Sequence, residues 1–447
     1  MNLHHHIPAM AILLSLVSHV AADCPVRPPC TCDELGTNSD GTKSWSVNCV
    51  NKGLTMVPTF DTTKDSVEEL LLGKNHISSI SNDAFSTLKG LNFIDLSENN
   101  ISYIGEKAFL GQKNSLEYLY LGKNVLTAIP VFAEDMSILR ELVLSTNQMT
   151  TIPANAFHKT PALSKLYLNS NKISTIDGAA FDDIQNSLDL LNLQNNSLTS
   201  NVIQVLANLP KLRILYLAYN PLGNIPQAGF GQAFQSIQDL NLEFTQLSEF
   251  PVVLLSRFWK LRTLMLSGNQ MASFDLPTVG NLTSTLQNLY LHNMGLTKIP
   301  KGIAQMKNLH RLELSRNSIA TLDTCAFHNN TNLRTVSLSG NPLECTCNAA
   351  GLRFLQNILR KDFKGLDQPC PSESLKEYTV TTFPIDHCDT RDLCNSKLLS
   401  STTSMPTQSP SASPVASGTA TMSTVEVTTR LTPAMAVVTV MVVVSLR

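Results

Sequence analysis

Leu116-Glu117-Tyr118-Leu119-Tyr120-Leu121-Gly122-Lys123-Asn124-Val125-Leu126 and Leu163-Ser164-Lys165-Leu166-Tyr167-Leu168-Asn169-Ser170-Asn171-Lys172-Ile173 are two copies of one pattern. It reads apolar, two variable, Leu, one variable, Leu, two variable, Asn, one variable, apolar. Further copies begin at Val67, Leu91, Leu139, Leu188, Leu212, Ile237, Leu261, Leu286 and Leu309, and a truncated one begins at Leu333, at spacings of 23 to 25 residues. Within each copy the Leu-x-Leu core alternates, as a short strand with one buried face must. A fixed period of this length is the signature of a solenoid, in which one coil cannot bury its apolar face alone but many stacked coils can.

Successive strands are expected to stack side by side into a parallel sheet, with segments such as Ile152-Pro153-Ala154-Asn155-Ala156-Phe157 returning over the other face. Twelve strands at strand spacing make a sheet roughly 50–60 Å long. The ninth position is Asn in ten of the copies, from Asn75 to Asn341. An amide there can hydrogen-bond neighbouring backbone as the chain turns off the strand. Thr245 and Met294 replace it twice. Thr is a partial substitute and Met is none, so a local distortion is expected in the tenth coil.

The ends speak for the compartment. An apolar stretch around Met10–Val17, then Val20-Ala21-Ala22 before Asp23, reads as a secretory signal over residues 1–22, although its start carries three histidines and no Lys or Arg. The ten cysteines are even in number, and none lies between Cys49 and Cys325, a distribution suited to disulfides in an oxidising compartment. Past Cys394 the composition turns to Ser, Thr and Pro, an extended stalk over residues 395–417 that buries no core. Ser417-Gly418-Thr419, a polar spacer and the apolar run Ala434–Leu446 match a glycosylphosphatidylinositol (GPI) attachment signal, with residues 418–447 as the propeptide. Ser417 is the expected attachment residue, ahead of Gly418 and Ser413; a short single span is the alternative anchor.

Taken with Cys24-Pro25, Cys30-Thr31-Cys32, Asn341-Pro342-Leu343-Glu344-Cys345-Thr346-Cys347 and Cys370-Pro371, the repeats resemble the extracellular leucine-rich repeat superfamily. Similar layouts occur in variable lymphocyte receptors, Nogo-receptor-like proteins and connectin-like surface proteins. The resemblance implies an α/β solenoid, a horseshoe with a parallel β-sheet on its concave face and disulfide caps at both ends. The caps would cover residues 23–66 and 344–394, with the repeats over 67–343. It further implies the pairs Cys24–Cys32, Cys30–Cys49, Cys345–Cys370 and Cys347–Cys388. Cys325 and Cys394 are left over; an internal staple between them and an intermolecular bridge both stay open.

Positions two, three, five, seven and eight of each copy face solvent on the sheet or its margin, and packing does not dictate them. Tyr118, Tyr120, Tyr167, Tyr216, Tyr219 and Tyr290 fall there, four of them at position five. Tyrosine gives a large rigid contact with a polar tip, as binding hot spots require. Over the first four copies Glu68, Glu69, Asp95, Glu98, Glu117 and Glu141 stand against Lys74, Lys123 and Arg140, leaving −3. Over the last four Arg262, Arg311, Arg316 and Arg334 stand against Glu313, leaving +3, with His292 and His310 nearby. The whole chain carries only −2, so this asymmetry is local and would orient a partner. The Tyr set with Arg262 and Arg311 is the expected ligand-binding group. N-glycosylation sequons stand at Asn100, Asn195, Asn281 and Asn329.

No phosphate loop, nucleophile elbow or paired-histidine metal motif is present in the sequence, and the basic residues form no nucleic-acid stripe. The expectation is a non-enzymatic cell-surface recognition protein, without cofactor or metal, binding a protein or glycan on the concave face. A homophilic or heterophilic adhesion or matrix-organising role is the alternative. A co-receptor, self-association and the membrane, reached through the lipid anchor, complete the expected partners.

Overall fold

The computed structural model describes residues 24–61, 65–225, 235–271, 282–321, 327, 330–344 and the strand Asp362–Lys364, all within one unit spanning residues 1–396. Cys325, Cys345, Cys347, Cys370, Cys388, Cys394, Ser417, Asn281 and Asn329 lie outside the described residues.

Among the described residues one sheet of fifteen strands runs the length of the repeats. It opens with the antiparallel hairpin Thr31–Thr37 and Lys43–Asn48, and Lys43–Asn48 pairs parallel with Ser66–Leu71, the first repeat strand. From there every strand pairs in parallel with the strand of the next coil and in the same register. Leu70, Ile94, Leu119, Leu142, Leu166, Leu191, Leu215, Leu240, Leu264, Leu289, Leu312 and Val336 align as one row. That row is position four, and all of its members are buried. From Phe93–Asp95 onward the repeat strands are three residues long, positions three to five, and burial of the residues at positions four and six fixes the face.

The return side is irregular: short parallel pairs (Ser79–Ile80 with Tyr103–Ile104, Thr151–Ile152 with Thr175–Ile176), 3-10 turns, and helices of four or five residues at Val202–Leu206, Val252–Leu255 and Leu282–Thr285. Phenylalanines stack from coil to coil beneath it, Phe85 on Phe109 at 5.4 Å and Phe157 on Phe181 at 5.8 Å between ring centroids. Buried amides stitch this side too. Gln112 Nε2 donates to the Phe85 and Leu88 carbonyls, and Asn330 Nδ2 to those of Ile303 and Met306.

Position nine is a ladder. Each Asn Nδ2 donates to the position-six carbonyl of its own coil and to that of the coil before. Its Oδ1 accepts the position-eleven N–H of the coil before. Asn171 shows all three, to Leu168 O at 3.0 Å, Leu144 O at 3.0 Å and from Met149 N at 3.1 Å. The turn itself is made one residue earlier. Position eight is left-handed in every copy, from Lys74 (φ 58°) and Glu98 (φ 57°) to Arg316 (φ 54°), with glycine at Gly268 and Gly340. The position-eight N–H donates to the position-seven carbonyl of the next coil, as from Lys74 to Ser97 at 3.0 Å and from Asn293 to Ser315 at 3.0 Å, which holds non-glycine residues in this disfavoured conformation even ahead of Met294.

The tenth coil corrects the expected distortion. Met294 is fully buried, yet Asn288–Tyr290 keeps its register with both neighbours. Met271 N–H, lacking an Asn Oδ1, donates to the Met294 carbonyl at 3.1 Å instead. Thr245 keeps one of the three bonds, its Oγ1 donating to Leu242 O at 2.7 Å.

At the amino end, Cys24 is bonded to Cys32 and Cys30 to Cys49, which fits a capping module. Trp45 closes the core at 1% exposure, its Nε1 donating to Asp65 Oδ2 at 3.1 Å, while the Lys43 ammonium lies 5.4 Å from its ring centroid. A solenoid's last apolar layer has no next coil, so a buried aromatic from outside the repeats must cover it.

Candidate ligand-binding face

The strand face carries positions three and five in two rows, each step one strand spacing of about 4.8 Å. Tyr120, Tyr167 and Tyr216 lie in the position-five row two strands apart, about 10 Å between successive backbones. Val143 and Asn192 stand between them. Tyr290 is in the same row but three strands beyond Tyr216, past Asn241 and Met265. The expected tyrosine column is therefore one close set of three with Tyr290 apart.

Tyr118 sits at position three beside Phe93, whose ring centroid is 6.4 Å from that of Tyr118 and 4.9 Å, edge-on, from that of Tyr120. Tyr120 OH donates to Glu141 Oε1 at 2.9 Å, and Lys165 Nζ donates to Glu141 Oε2 at 3.0 Å. Glu141 is 8% exposed, so a buried carboxylate spans three coils and is satisfied on both oxygens. Burial, reinforced by Glu141, pushes the Tyr120 phenol well above its ordinary pKa and the Tyr167 phenol up to about 12; burial and Asp239 also raise Tyr216. All three phenols stay protonated at neutral pH, each a rigid, half-buried ring.

Tyr219 belongs elsewhere. At position eight it is 47% exposed and stacks on Phe244, the position-eight residue of the next coil, with ring centroids 4.6 Å apart and planes 10° apart. Phe244 rests over Gly268, where a Cβ would meet its ring, and stands edge-on to His292 at 6.3 Å. Asn195 occupies position eight of the coil before Tyr219 and is exposed, as is Asn100. Phe93 and Phe244 were not singled out from sequence, although the position rule that found the tyrosines applies to phenylalanine unchanged.

Arg262 and Arg311 stand away from the Tyr120–Tyr167–Tyr216 set, Arg311 on the strand next to that of Tyr290. They project from positions two and three of the ninth and eleventh coils, both exposed. Among the described residues no carboxylate lies within salt-bridge distance of Arg262, Arg311, Arg316 or Arg334. The acids at the other end are different: Lys123 pairs with Glu98 at 3.0 Å, Arg140 with Glu117 at 3.5 Å and Lys165 with Glu141 at 3.0 Å. Much of the amino-terminal negative charge is thus neutralised within the sheet, while the carboxy-terminal arginines are not.

A family profile described as "Leucine rich repeat" matches residues 65–126, 114–173, 161–222 and 284–343. Together with the parallel coil architecture, this makes the chain a leucine-rich repeat protein related to extracellular proteins of that kind. It is similar to chaoptin of Drosophila melanogaster, 31% identical over 152 residues covering 29% of this chain and 12% of chaoptin. It is also similar to keratocan of Gallus gallus, 36% identical over 110 residues covering 24% of this chain and 30% of keratocan. In each case the match spans less than a third of the relative's length. Among solved structures, an LRR protein of Leptospira interrogans superposes with a TM-score of 0.52 at 22% identity, covering 71% of this chain and 94% of that one. An internalin from Listeria monocytogenes gives a TM-score of 0.52 at 21% identity, covering 66% and 78%. Those two likenesses establish the fold alone. Among the described residues no helix is long and apolar enough to cross a membrane.

Proposed function

We propose that this is a non-enzymatic recognition protein of the cell surface, GPI-anchored, whose strand face binds a protein or glycan. The observation that carries the reading is the registered row Tyr120–Tyr167–Tyr216, three half-buried phenols held protonated, flanked by Phe93, Tyr118 and the Glu141–Lys165 pair. Rigid aromatic bodies with a polar tip give contact area at small entropic cost, and such residues dominate binding energy where they cluster. A glycan at Asn195 would stand on the margin between this face and Tyr219.

The test is a panel of secreted extracellular domains and immobilised glycans, probed with the mature chain and with a variant carrying Tyr120→Ala, Tyr167→Ala and Tyr216→Ala. Any partner of the wild type should be lost or weakened by about a thousandfold, the scale of two hot-spot truncations of about 2 kcal/mol each. A partner bound equally by both chains overturns the strand-face reading. Release of the protein from cells by a phosphatidylinositol-specific phospholipase tests the anchor independently, and retention on treated cells would reject it.

A further inference from the structure

Position two of every coil lies where the chain enters its strand, so these side chains form a single row along the leading edge of the sheet. Charge along that row is ordered. In its middle, Glu117 pairs with Arg140, and Asp189 accepts from both Nε and Nη2 of Arg213, the latter at 2.7 Å. At its carboxy-terminal end stand Arg262, Gln287, His310 and Arg334 on four successive strands, a stretch of about 14 Å. Neither exposed arginine there has a carboxylate within reach among the described residues. At its amino-terminal end stands Glu68, half-buried and likewise without a partner.

Glu68 lines a cleft of about 600 Å³ with Asp40, Asp65 and Glu117, against a single cation, Lys89. Asp40 accepts from Thr42 Oγ1 at 2.6 Å and Thr42 N at 3.0 Å, which holds its carboxyl below the ordinary range and therefore ionised at neutral pH. One edge of one molecule thus presents an acidic concavity at its start, neutralised pairs at its centre and unneutralised arginines at its finish. A free polyanion would answer the arginines but would leave the cleft unexplained. A second copy turned end for end answers both.

We propose that the chain self-associates as an antiparallel two-fold pair along this edge, with the Arg262–Arg334 end of each copy set against the Glu68 cleft of the other. Two-fold contacts are isologous, so each charge match is made twice. With Glu68 opposite Arg334 of the second copy, the axis falls between Asp189 and Arg213, which then face each other with opposite charge, and Arg262 stands opposite Arg140, whose charge Glu117 already neutralises. The contact uses the edge and leaves the tyrosine face open, so it does not depend on the strand-face reading. Arg suits this role through its planar, multiply donating head.

Sedimentation of the mature chain tests it. The wild type should dimerise at about 0.05 M salt and dissociate towards 0.5 M, as the Debye length falls from about 14 to about 4 Å. Glu68→Arg and Arg334→Glu should each weaken association by about tenfold or more, two lost ion pairs apiece. An equimolar mixture of the two variants should recover wild-type affinity, because both contacts then face opposite charge again; general damage to folding would not be repaired by mixing. A mixture no tighter than either variant alone, or a wild type that is monomeric at all salts, overturns the proposal. Retention on a heparin matrix that Arg334→Glu abolishes, in a chain that never dimerises, would assign the arginines to a polyanion instead.

Discussion

Replacing Asn171 by Ala removes one rung of the ladder, and the structure fixes what each former partner does next. The Leu144 carbonyl still accepts Asn147 Nδ2 at 3.0 Å, and the Leu168 carbonyl still accepts Asn196 Nδ2 at 3.0 Å. Both oxygens lose a second donor but neither is orphaned. Met149 N–H is different: its partner is Asn171 Oδ1, and nothing replaces it in a buried turn. An unsatisfied buried donor costs about 1–3 kcal/mol, and each of the two other bonds a net amount near the low end of about 0.5–1.5 kcal/mol, since the carbonyls keep a partner. The expected loss is therefore about 3 kcal/mol. In urea, at a slope of about 3 kcal/mol/M, the midpoint should fall by about 1 M with the slope unchanged. Far-ultraviolet circular dichroism of the mature chain reads this directly. A midpoint shift under about 0.2 M would refute the accounting and mean that Met149 N–H finds another acceptor, as Met271 N–H already does at Met294. The reverse change, Met294→Asn, should return that N–H to an amide oxygen and raise the midpoint.

Leu166→Ala, at a fully buried site in the position-four row, should cost about 2–5 kcal/mol, measured by the same unfolding experiment. Gly268→Ala places a methyl against the Phe244 ring at a left-handed position (φ 72°), so it should lower stability by about 1–2 kcal/mol from backbone strain alone. It should also alter the near-ultraviolet signal of the Tyr219–Phe244 stack; an unchanged signal would show that the ring does not rest there. Tyrosinate absorbance should reveal a late-titrating class, since the Tyr167 phenol is pushed up to about 12 and those of Tyr120 and Tyr216 are raised as well. Because the raised value belongs to the folded state, the stability these phenols contribute is fully present below about pH 10 and is lost as pH rises from there through about 12. Tyr167→Phe should flatten part of that alkaline decline, and a decline identical in both chains would reject burial of the phenol as its cause.

The strand row was legible because Leu-x-Leu states both its period and its inward face, and so was the role of the ninth Asn, whose amide suits a turn. The left-handed turn at position eight was not. Lys74, Glu98, Thr146, Tyr219 and Phe244 occupy it, and none of those residue types announces a positive φ; the backbone hydrogen bond each makes to the next coil holds it. The charge balance of the amino-terminal copies also read differently in the chain than in the fold. Glu98 with Lys123, and Glu117 with Arg140, are separated by a full coil, a distance at which no local spacing rule signals a contact. The same holds for Tyr219 and Phe244, which become neighbours only when two coils stack.

Each rung of the asparagine ladder joins its own coil only to the coil before it, and the ten coils that carry the Asn present the same donors and acceptors at that joint. The array therefore behaves like a ruler whose divisions are interchangeable. Duplicating or deleting one whole unit in the gene would leave every remaining joint chemically unchanged while moving the carboxy-terminal arginines by one division, about 4.8 Å, relative to the amino-terminal cap. Reach and spacing on this scaffold can thus be retuned by genetic copying alone, without a new core having to be invented.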